Sequence, residues 1–66
     1  MTVQKDLQKA VAAAESAKGT YATFAQATED QQAKQMFEQM VHDMDRHVSA
    51  LNSRLSATGQ NEQSES

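Results

Sequence analysis

Apolar residues recur in the first part of the chain at Val3, Leu7, Ala10, Ala14, Ala17, Tyr21 and Phe24. The steps alternate between four and three, a heptad seam that predicts an amphipathic helix over about residues 3–27. Alanine fills the middle of the seam and bulky groups its ends, so a facing helix can approach closely at the waist. Val11 widens the stripe on one side, and Gly19 falls on the outward side. Thr2 stands where a hydroxyl can cap the first turn. Asp6 puts negative charge early in the helix, where the dipole favours it.

A second stripe follows at Ala33, Phe37, Met40, Met44, Val48, Leu51 and Leu55, flanked by Met36 and Val41. It predicts a nearly straight helix over about residues 29–56. No proline or glycine separates the two stripes. The break is one of phase. Extending the first seam past Phe24 at about 3.6 residues per turn lands near Thr28, Gln31 and Gln35, all polar. The second stripe is about half a turn out of register with that line. A single long helix, the alternative, would carry its stripes on nearly opposite faces. A turn at about residues 27–30 lets them face each other. Thr28-Glu29-Asp30-Gln31 reads as a capping box, with Thr28 as N-cap and Gln31 three residues on. After Leu55 the apolar signal stops, Gly59 is a natural stop, and residues 59–66 read as a disordered polar tail. The expected architecture is all-α: an antiparallel two-helix hairpin over residues 1–58, then the tail.

Composition changes this picture by asking for a partner. A 66-residue chain allows one small domain, and such domains usually lean on a disulfide, a metal or a second subunit. There is no cysteine, which removes disulfides and thiolate sites. The apolar faces are broader than a two-helix pair can cover, as in a core-facing helix of a bundle. Two hairpins pairing as a homodimer would give a four-helix bundle. The two seams, from Val3 to Phe24 and from Phe37 to Leu55, are its expected dimer and core face. A tetramer and a different protein partner are the alternative assemblies.

The net charge of −3 is mild, and the six Lys and Arg residues are dispersed, which gives no nucleic-acid footprint. No stretch approaches the roughly 20 apolar residues of a transmembrane segment. The opening residues lack the apolar run of a signal peptide, so a cytoplasmic protein is expected.

Candidate chemistry is sparse. His42 lies beside Glu38, Asp45 and Arg46 in helical spacing and reads as solvated. His47 sits at the stripe's edge, where a hydrogen bond to Asp43, or to a group across the interface, is expected. Met36, Met40 and Met44 repeat every four residues; the spacing suits a soft metal but fits adaptable core filler better. Tyr21 reads as a core ring with its hydroxyl at the rim. Asp30 and Lys34 form an i,i+4 pair. No nucleophile, base and orienting group share a phase, so neither enzyme activity nor a cofactor is expected.

Two resemblances come from particular segments. Tyr21-Ala22-Thr23-Phe24-Ala25, Ala33 to Glu38 and Asp43-Met44-Asp45-Arg46-His47 resemble rubrerythrin-like ferritin folds. That family holds a di-iron centre with a first-helix Glu and a Glu-x-x-His. Here His47 is kept, Met44 replaces the Glu before it, and Ala14 stands at the first-helix position with Glu15 one place off. The resemblance implies the bundle and lost ligands. Its alternative is a metal site of Glu15, Asp43 and His47 at a dimer interface. More extensive is the match of Met1-Thr2-Val3, Thr20 to Ala25 and Thr28-Glu29-Asp30-Gln31-Gln32-Ala33-Lys34-Gln35-Met36-Phe37. These resemble a family of short proteins of unknown function from endospore-forming bacteria, encoded near spore-membrane and germination-channel genes. It implies a forespore or spore context and assigns no catalytic residue. Together these readings predict a non-enzymatic structural or interaction protein, with a ferritin-like metal protein and a helix-groove module for another protein as alternatives.

Overall fold

The structure, a computed structural model, describes the backbone of residues 2–65 and the side chains of residues 2–58. Two helices, α1 (Val3–Ala27) and α2 (Gln31–Glu65), pack against each other as a hairpin. No strand occurs among the described residues.

α1 begins as the sequence predicts. Thr2 is extended, and its Oγ1 accepts a hydrogen bond from the Lys5 backbone N–H at 3.1 Å. Gly19 lies within α1, and a methyl group added there would meet nothing within 4 Å. Replacing Gly19 by alanine should therefore stabilise the fold by about 0.5–1 kcal/mol, since only helix propensity changes. Thermal unfolding followed by circular dichroism should show a higher midpoint.

The turn differs from the expected capping box. Thr28 closes α1: its backbone N–H donates to the Phe24 carbonyl at 3.0 Å. Its hydroxyl oxygen accepts from the Asp30 N–H at 3.2 Å. The cap of α2 is Asp30, whose Oδ2 accepts from the Ala33 N–H at 3.2 Å and whose carbonyl accepts from the Lys34 N–H at 2.9 Å. A carboxylate caps better than a threonine hydroxyl and opposes the positive end of the dipole. So α2 starts at Gln31 rather than near residue 29, and the Asp30 carboxylate caps Ala33 instead of pairing with Lys34. Asp30→Ala should cost about 1 kcal/mol, read as a lower thermal midpoint, whereas Glu29→Ala should change little.

α2 also runs past the expected end near Ser56, its backbone helical to Glu65. Gly59 costs only about 1 kcal/mol in a helix, and no proline follows to end it. The side chains of residues 59–65, and Ser66, where the polar tail was expected, lie outside the described residues.

The hairpin measures 54 × 18 × 11 Å, a rod two helices wide and one helix deep. A stable domain encloses its core between packed layers. Here Ala25, 5% exposed, is the one buried hydrophobic residue among those described. Most other seam residues are half-buried, and Val3, Phe24 and Met36 are 62%, 47% and 59% exposed.

Candidate interaction surface

The apolar seam of α1 faces two ways. Leu7, Val11, Ala14, Tyr21, Ala22 and Ala25 are half-buried or buried and turn toward α2. Val3 and Phe24 stand exposed on an outer shoulder, and Ala10 and Ala17, between them at heptad spacing, are half-buried. Each residue advances the helix by about 100°, so Phe24 sits well round from Ala25. The predicted stripe therefore exceeds what α2 covers, and the hairpin interface is centred on Ala25 rather than on Phe24. Small residues at Ala22 and Ala25 let the helices come close there. On α2, Phe37, Met40, Met44, Val48, Leu51 and Leu55 are all half-buried, and Met36 projects.

The two long edges of the hairpin are chemically distinct. On one, the Phe24 and Phe37 rings meet with centroids 5.4 Å apart, tilted by 54°. With Ala27 and Thr28 they line an open apolar groove of about 350 Å³ at the turn. Val3, Ala17 and Met36 lie toward this side by helical spacing. On the other edge, Lys18 Nζ and Asp45 Oδ1 form an interhelical ion pair at 2.6 Å. A second groove there is bordered by Ala22, Gln26, Glu38, Val41 and His42, with Ala25 at its base.

Lys18 was not anticipated as an interhelical contact. It is spaced seven residues from both Val11 and Ala25, and that heptad row is the signal that could have revealed it. Its ammonium is held above the ordinary lysine value of 10.5, chiefly by the hydrogen bond to Asp45, then by the charge of Asp45, with Glu15 adding and burial opposing. A raised lysine contributes stability that is full below the unfolded value and fades as pH rises through the folded one. The thermal midpoints of the native chain and Lys18→Met should thus differ by a small constant amount from neutral pH to about 10 and converge above 10.5. Added salt should shrink the difference.

The candidate ligands are dispersed. Glu15 is exposed on the Lys18 side of α1, while Asp43 and His47 lie on the Met36 side of α2. Asp43 does not pair with His47 as expected. Its Oδ1 accepts from Arg46 Nη2 at 2.6 Å and from Gln39 Nε2 at 3.2 Å, because the guanidinium is a stronger, permanently charged donor. His47 and His42 are both exposed, on different sides of α2. Among the described residues, no three His, Cys, Asp or Glu side chains converge as a metal site. The Thr20, Thr23 and Thr58 hydroxyls donate to the carbonyls of Ser16, Gly19 and Arg54.

Residues 7–55 match a family model described as a protein of unknown function, DUF1657. The chain belongs to the DUF1657 family. No curated protein and no solved structure matches it. The DUF1657 span opens on Leu7, the first half-buried apolar residue of α1, and closes on Leu55, the last apolar residue of the α2 stripe. It contains the turn, the Asp30 cap, the Lys18–Asp45 pair and the Phe24–Phe37 contact. The DUF1657 unit is thus the hairpin itself. No helix among the described residues is long and apolar enough to cross a membrane.

Proposed function

We propose that this chain is a non-enzymatic structural or interaction protein that works as a homodimer, its two hairpins closing a four-helix bundle. The observation that carries this reading is the exposure of Val3, Phe24 and Met36 on one side of a hairpin whose one buried hydrophobic residue, among those described, is an alanine. Dispersed histidines and back-bonded threonine hydroxyls favour a non-catalytic role. The spore context in this proposal is supported by the resemblance of the Thr28–Phe37 segment.

Light scattering at micromolar concentration tests the dimer. The expected mass is twice the 7.2 kDa chain. A stable, fully helical monomer would overturn the proposal.

A further inference from the structure

We infer that the two copies meet through α1, packed antiparallel across a two-fold axis between Ala13 and Ala14. This rests on the homodimer reading and adds which helices touch.

The outer shoulder of α1 carries Val3, Ala10, Ala17 and Phe24, seven residues apart, its two ends exposed and its two alanines half-buried. Large side chains stand at its ends and small ones at its middle. An antiparallel copy centred between Ala13 and Ala14 sets Val3 against the partner's Phe24 and Ala10 against the partner's Ala17. The alanines let the backbones approach, so that the exposed ends can reach each other. Val3 then arrives beside the partner's apolar groove, the one Phe24 lines with Phe37 in each copy. A parallel pairing would instead set Val3 on the partner's Val3 and Phe24 on the partner's Phe24, matching large with large at one end and small with small at the other.

The same axis acts on α2, where charge provides an independent check. The Lys18–Asp45 and Phe24–Phe37 contacts set the level of Ala13–Ala14 near Val48–Ser49. Turning α2 about that level brings Asp43 opposite the partner's Arg54. Asp43 is partly exposed and Arg54 exposed, and helical spacing puts both on the Met36 side of α2. Opposite charges therefore cross the interface at two symmetric places, which fixes register and direction. In this arrangement all neighbouring helices run antiparallel, and the two turns lie at opposite ends.

The chain has no cysteine, so engineered cysteines report the pairing without background. A disulfide forms only where the Cα atoms lie within about 7 Å. Under mild oxidation, Ala13→Cys should convert fully to a disulfide-linked dimer, and Ala12→Cys, about 100° round the helix, should remain a thiol. An equal mixture of Ala10→Cys and Ala17→Cys should give the mixed disulfide in preference to either self-paired product. Sedimentation of the reduced proteins separates the two claims. A dimer mass without the Ala13→Cys disulfide overturns the α1 pairing and leaves the homodimer standing. A monomer mass overturns both.

Discussion

Phe24→Asp is expected to leave a monomer at micromolar concentration, with much of its helix lost. Phe24 is 47% exposed in the hairpin, and its ring is held there by Phe37 on one side. Covering the exposed half of the ring in a dimer would be worth about 0.7–1.5 kcal/mol per copy. Both copies lose the ring, so the dissociation constant should rise by roughly 10–10² from this alone. The introduced carboxylates add to the loss, because an unpaired charge is costly to bury. Phe24→Leu, which keeps an apolar side chain, should remain a dimer. Sedimentation at several concentrations reads the effect directly. A Phe24→Asp chain that keeps the dimer mass would show that the Phe24 edge is not part of the interface.

Ala25→Leu should destabilise the hairpin by about 1–3 kcal/mol, although leucine is the more hydrophobic residue. Ala25 is the one buried hydrophobic residue among those described, and it lies beside Glu38 and Val41 of α2. Three added heavy atoms must either spread the helices or turn out into the open groove beside Ala25, where leucine loses its burial. Spreading them would also strain the Phe24–Phe37 contact and the Lys18–Asp45 pair on either edge. For a domain of this size, each kcal/mol lowers the thermal midpoint by roughly 4–8 °C. Ala12→Leu, exposed on the outside of α1, is the control and should leave the midpoint nearly unchanged.

The hairpin was legible in the sequence because phase is a long-range property of a helix. Two stripes half a turn out of register cannot share one straight helix, and that holds whether or not a breaker residue is present. The exact cap was less legible. Thr28 and Asp30 both satisfy the side-chain preferences of an N-cap, and the choice depended on which backbone N–H groups each could reach. The end of α2 was harder still: Gly59 is a weak stop when no proline follows, and polar glutamine and glutamate tolerate helix.

The candidate surface is legible in the sequence as a set of residues but not as a geometry. Periodicity picks out every residue of the α1 seam and presents them as a single face. The structure divides them: Leu7, Ala10, Ala14, Ala17 and Tyr21 are half-buried, as is Val11, whereas Val3 and Phe24 stand exposed. Burial is deepest at Ala25, off the centre of the stripe, and alanine at positions 22 and 25 leaves room for α2 there. Lys18 is not legible because a charged residue ordinarily stands in water, whereas here its aliphatic stem lies along the interface and its ammonium reaches Asp45.

The central claim is that the hairpin completes its core only by association. If so, folding and dimerisation are one equilibrium, and the thermal midpoint must depend on chain concentration. Thermal unfolding followed by circular dichroism across a wide concentration range is the most direct measurement. The midpoint should rise by roughly 5 °C for each tenfold increase in concentration. A midpoint that stays constant across that range would contradict the claim, because it would mean that the hairpin is stable alone.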